Sequence, residues 1–69
     1  EILVLKGTQI AGLKIRIMDQ SGREWISRYV EKNQIVTESE IDLSTLPKGI
    51  YAVVVSGKNI SGNKLIVVF

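Results

Sequence analysis

The sequence predicts an all-β fold, a small antiparallel β-sandwich of about six to seven strands. Three observations carry this. Apolar and polar residues alternate with period two through residues 13–19, 23–30 and 35–43. Turn signals separate these stretches every eight to twelve residues or so, a spacing typical of sandwiches. A β-branched run, Ile50 to Val55, follows a Pro/Gly turn and reads as a central strand buried on both faces.

The elements follow in chain order. Glu1 to Leu5 is apolar and β-branched, and Lys6-Gly7 ends it. Gln9 to Asp19 alternates, with Leu13, Ile15 and Ile17 opposed to Lys14, Arg16 and Met18. Asp19-Gln20-Ser21-Gly22 places Asp first and Gly fourth, the pattern of a type I turn closed by a glycine bulge. Arg23 to Val30 is the return strand. Trp25, Tyr29 and Lys32 also fall at helical spacing, but the preceding hairpin turn favours the strand. Asn33-Gln34 breaks the pattern. In Ile35 to Leu43, Ile35, Thr37, Ser39, Ile41 and Leu43 share one face and Glu38, Glu40 and Asp42 the other. Pro47 and Gly49 set a tight turn, Pro by fixing φ and Gly by tolerating a positive one. Ile60 to Phe69 closes the fold, with a kink or bulge expected at Ser61-Gly62-Asn63. The predicted core is Leu13, Ile15, Ile17, Ile41, Leu43, Leu46, Tyr51, Val53, Val55, Leu65 and Val67.

Composition narrows the chemistry. Sixty-nine residues make one small domain, 1–69, that hides only about 60% of its unfolded surface. With 45% apolar and 23% charged residues the chain suits a folded unit. It has no cysteine and no histidine, which excludes disulfides, thiolate and imidazole metal sites and a Ser-His-Asp triad. No serine stands in a G-x-S-x-G turn. No cofactor and no small-molecule substrate is expected. The net charge is only +2, nine Lys and Arg against seven Asp and Glu, and the basic residues are scattered, without basic runs or interleaved aromatics, so no nucleic-acid partner is expected. The apolar run Leu65 to Phe69, like that of Ile50 to Val55, is far too short for a membrane span. Glu38, Glu40 and Asp42 would lie about 7 Å apart on alternate positions, too wide to gather one calcium ion, and read as a solvated face.

The motifs carry a resemblance. Ile41-Asp42-Leu43-Ser44-Thr45-Leu46-Pro47-Lys48-Gly49-Ile50-Tyr51 resembles the I-D-L-S-x-L-P-x-G-x-Y stretch of the C-terminal sorting domains of the type IX secretion system of Bacteroidetes. Upstream, Leu13 to Ile17 followed by Asp19-x-x-Gly22-Arg23 resembles the family's apolar strand and D-x-x-G-[RK] turn. Downstream, Lys64-Leu65-Ile66-Val67 resembles its closing K-[LI]-[IV]-V strand. The match covers residues 13–68. Each piece is weak alone; their order and spacing are specific. The chain departs from the family in lacking its usual Asn-Pro opening segment and in ending on Phe69 where many members end on a basic residue.

The resemblance implies an immunoglobulin-like sandwich that serves as a signal and has no enzymatic activity. It would direct an N-terminal cargo domain from the periplasm through the outer-membrane translocon. A sortase-like protease would then remove it, cutting upstream of Glu1, and leave the cargo on the cell surface or outside. The motif residues are Asp19, Gly22, Leu46, Pro47, Lys48, Gly49, Tyr51 and Lys64. Each has a structural role too: Leu46 plugs the core's end, and Tyr51 packs its ring with its hydroxyl at the rim. Lys48 and Lys64 are the charges best placed for recognition, because they flank buried strands. The alternative is a retained immunoglobulin-like module: structural, adhesin-type or part of the secretion apparatus.

Overall fold

Period-two patterning becomes six strands and no helix in the computed structural model, which describes residues 1–7, 10–32 and 36–69. The strands are β1 (Ile2–Lys6), β2 (Lys14–Asp19), β3 (Glu24–Tyr29), β4 (Glu38–Asp42), β5 (Gly49–Ser56) and β6 (Ser61–Val68). They form two antiparallel sheets packed face to face, one ordered β3-β2-β5-β6 and the other β1-β4. This is the small immunoglobulin-like sandwich that the pattern and the resemblance predict. Residues 23–30 form a strand and not a helix. Gln9 and the Asn33-Gln34-Ile35 break lie outside the described residues.

The D-x-x-G turn forms as its residues dictate. The Gly22 amide donates to the Asp19 carbonyl at 3.1 Å and the Asp19 amide to the Arg23 carbonyl at 2.9 Å. Gly22 takes φ +89°, the left-handed value that closes a type I turn with a glycine bulge. Gly49 has φ +154°, which side chains disfavour, and a Cβ there would meet nothing closer than 3.9 Å. Its backbone, rather than space, therefore requires glycine.

The core lies between the sheets. Ile15, Ile17 and Ile41 are fully enclosed, and Ile10, Leu13, Val30, Leu43, Leu46, Tyr51, Val53 and Val68 are buried around them. Each such aliphatic side chain contributes about 1.5–3 kcal/mol through removal from water. Among the described residues no polar side chain is buried. One flank of the sandwich is closed by the crossover from β1 to β2, where the Ile10 amide donates to the Val36 carbonyl and the Gly12 amide to the Val30 carbonyl.

Three expectations need correction. Leu65 and Val67 are 71% and 47% exposed; Ile66 and Val68 face the core instead. The β5-β6 register pairs Tyr51 with Ile66 and Gly49 with Val68, so odd positions on β5 share a face with even positions on β6. A one-residue difference in register turns every side chain over. Val55, also expected in the core, is half-buried. Second, β5 is central in its sheet but open on its outer face, where Ile50 is 42% exposed. Only the inner face meets the other sheet. Third, Ser61-Gly62-Asn63 pairs in unbroken register; the irregularity lies at Trp25, the extra residue between the pairs Ile17-Ile26 and Met18-Glu24.

Candidate functional site: the motif end of the sandwich

Strand pairing brings the two turn motifs to one end. Asp19, last in β2, pairs with Tyr51 on β5. The D-x-x-G turn therefore sits beside the Leu-Pro-Lys-Gly turn, and a shallow depression of about 370 Å³ lies between them, lined by Asp19, Ser21, Trp25, Pro47, Lys48 and Tyr51 among others.

Asp19 organises its side of this end. One carboxylate oxygen accepts from the Ser21 hydroxyl at 2.7 Å, the Ser21 amide at 2.9 Å and the Arg23 amide at 3.0 Å. The other accepts from the Trp25 indole N–H at 3.0 Å. The Ser21 hydroxyl and the Trp25 indole, then the backbone amides, hold the carboxyl down at about 2. Arg23 caps the assembly, its guanidinium 4.3 Å from the centre of the Trp25 ring.

The second turn is held as tightly. Asp42 accepts from the Ser44 amide at 2.9 Å, and this bond lowers its pKa. The Leu46 amide donates to the Leu43 carbonyl at 3.0 Å, which drops Leu46 into the core's end. The Tyr51 ring is buried and its hydroxyl donates to the Pro47 carbonyl at 2.6 Å. Lys48 is left exposed at the tip.

Seven of the eight motif residues thus meet at one end. Lys64 does not join them. It pairs opposite Val53, is exposed, and lines a different opening between β6 and β1. Arg23 is the basic position of the D-x-x-G-[RK] turn, and two further participants, Ser21 and Trp25, are not motif residues of the sequence. Ser21 could have been singled out, because an Asp-x-Ser turn invites a carboxylate to bond the amide two residues on. Trp25 could not, because the bulge that aims the indole at Asp19 leaves no mark in the sequence.

The arrangement presents rigid turns at an exposed end of the sandwich. The carboxylate already accepts four hydrogen bonds and, held at about 2, it is too acidic to exchange protons near neutrality. No group of His, Cys, Asp or Glu able to hold a metal ion occurs among the described residues. What the end does offer is shape, two cations and a neighbouring apolar stripe. That stripe is Ile50, Leu65 and Val67, all exposed on the outer face. Beside it runs the free edge of β6, which is outermost in its sheet. The Gly57 amide bonds the Ile60 carbonyl, and alternation from that pair turns the backbone groups of Ser61, Asn63, Leu65 and Val67 away from β5.

The family model described as "secretion system C-terminal sorting domain" matches residues 1–68. The chain belongs to that family, the type IX sorting domains. Members are sorting signals and not catalysts, and the signal implies export through the outer membrane to the cell surface or beyond. Neither the curated proteins nor the solved structures gave a match.

Proposed function

We propose that residues 1–69 act as one sorting domain, recognised as a folded object, with no enzymatic activity of its own. The type IX translocon would read the motif end, with Lys48 and the backbone framed by Asp19, Gly22, Leu46, Pro47, Gly49 and Tyr51, together with the free edge of β6. A partner strand added to that edge would gain backbone hydrogen bonds from Ser61 to Val67 and apolar contacts with Leu65 and Val67. Lys64, on the other side of the same strand, would supply a second charged contact. The cargo passes through the periplasm, and a sortase-like protease at the outer membrane then removes the domain.

The observation that carries this reading is the gathering of seven motif residues, distant in sequence, at one solvent-facing end of a chain whose family is a sorting signal. The test is a periplasmic reporter joined to residues 1–69 in a type IX-competent bacterium. The reporter should reach the surface. If it stays periplasmic while native cargo is exported, the domain is a retained module and the sorting reading fails.

A further inference from the structure

Arg23 stands between two carboxylates and pairs with neither. Asp19 and Glu24 are its nearest acidic neighbours in the chain. The hydrogen bonds that Asp19 accepts come from Ser21, the Trp25 indole and the Arg23 amide, none from the guanidinium. Glu24 lies 3.8 Å from the Arg16 guanidinium. Among the described residues the Arg23 guanidinium makes no ion pair and no hydrogen bond, and it lies over the Trp25 ring instead, 4.3 Å from its centre.

The bulge in β3 causes this division. Ile26 pairs with Ile17 and Glu24 with Met18, so Trp25 is the extra residue. Without the bulge, alternation would set Trp25 opposite Met18 and turn Glu24 to the other face. With it, Glu24 shares a face with Met18 and Arg16 and is within reach of Arg16. The indole is re-aimed at Asp19, and its ring lies beneath Arg23. A guanidinium on an aromatic face is held in place while its in-plane N–H groups stay free. Such a fork matches a carboxylate through two parallel hydrogen bonds. Trp25 and exposed Lys48 both line the depression between the turns, which places Arg23 at its rim. The two cations against Asp19 leave a single positive charge at this place, the complement of one carboxylate.

We propose, on the sorting reading above, that Arg23 is a recognition residue of this domain and that Trp25 positions it. The group it takes is an Asp or Glu carboxylate on the protein that reads the motif end. Arginine held by stacking, with its donors unused, is the kind of side chain that anchors interfaces.

The test joins residues 1–69 and their variants to a periplasmic reporter and measures the rate of surface delivery, with folding checked by circular dichroism. Arg23→Gln should stay folded and slow delivery about tenfold, the effect of losing one charge-assisted pair. Arg23→Lys should recover only part of the rate, because an ammonium cannot form the fork. Trp25→Leu should slow delivery while Arg23 is present and add nothing in the Arg23→Gln background. Trp25→Phe, which keeps a ring but loses the bond to Asp19, replaces it if the leucine variant does not fold. A tryptophan that is only structural would slow both backgrounds equally, and that result overturns the positioning role. In the isolated chain the Trp25 ring current should shift the Arg23 δ-proton resonances upfield; ordinary positions overturn the stacking, whatever the reporter does. If the wild-type fusion is delivered and Arg23→Gln equally well, this proposal fails and the sorting reading stands. If the wild-type fusion stays periplasmic, both fail. Full activity of Arg23→Lys overturns the carboxylate fork in favour of a bare positive charge. Sedimentation of residues 1–69 with phosphatidylglycerol vesicles, abolished by Arg23→Gln, overturns the protein carboxylate in favour of a lipid phosphate.

Discussion

Leu65 and Ile17 lose the same three carbons on truncation to alanine, but they stand at opposite extremes of burial. Ile17 is 0% exposed and Leu65 71%. At about 0.8 kcal/mol per buried carbon, Ile17→Ala forfeits about 2.4 kcal/mol of transfer free energy. The cavity left beside Ile15 and Ile41 raises the total to about 3–4 kcal/mol, within the range of such truncations. Less than a third of the Leu65 side chain is hidden, so Leu65→Ala should cost about 0.7 kcal/mol. Urea denaturation at 25 °C followed by circular dichroism gives both values. A domain this small holds only about 4–10 kcal/mol, so Ile17→Ala can leave little of it folded. Ile17→Val, at about 0.5–1.5 kcal/mol, then provides the comparison. If Leu65→Ala costs as much as Ile17→Ala, Leu65 is in the core and the β5-β6 register described above is wrong.

Tyr51→Phe removes the donor to the Pro47 carbonyl and should cost about 0.5–1.5 kcal/mol, read as a fall in Tm of about 4–8 °C per kcal/mol. Acid should destabilise the domain through Asp19: its folded pKa of about 2 lies below the ordinary carboxylate value of about 3.9, so its contribution is complete above pH 4 and is lost as pH falls toward 2. Asp42 acts in the same direction, and Asp19→Asn should flatten the dependence of Tm on pH in that window; an unchanged slope would show that the Ser21 and Trp25 bonds do not form in solution. Lys48→Glu and Lys64→Glu change exposed charges and should alter stability by under about 0.5 kcal/mol. Each folded variant should accumulate in the periplasm, and normal export of either removes that lysine from the recognition surface.

The sequence reveals whatever depends on local rules. Gly22, Pro47 and Gly49 announce their turns because backbone conformation demands those residues. The inward sets of β2 and β4, among them Ile15, Ile17 and Ile41, follow from alternation against charged neighbours. β6 has no such neighbours after Lys64: Leu65, Ile66, Val67 and Val68 are all apolar, so alternation cannot say which pair faces in. The hairpin connection settles it, and its register is a property of the pairing with β5. The same blindness hid the open outer face of β5, since a wholly apolar strand looks alike whether one or both faces are covered. Within the candidate site, the motif residues were legible, but their meeting at one end required the pairing of Asp19 with Tyr51, which joins segments more than thirty residues apart.

The uneven sheets also set an order of opening. β2 and β5 are held on both edges, by each other and by β3 and β6, whereas among the described residues β1 and β4 pair only with one another. The small sheet can therefore detach while the large one stays paired, and it should do so at a lower free energy than global unfolding. In residues 1–69 alone, the Leu3 and Leu5 amides should exchange faster than those in the middle of β2; equal rates would mean that the two sheets open together. In the proposed function a cargo would precede β1, so a pull from that side would first load the weaker sheet and leave the motif end, framed by β2 and β5, standing.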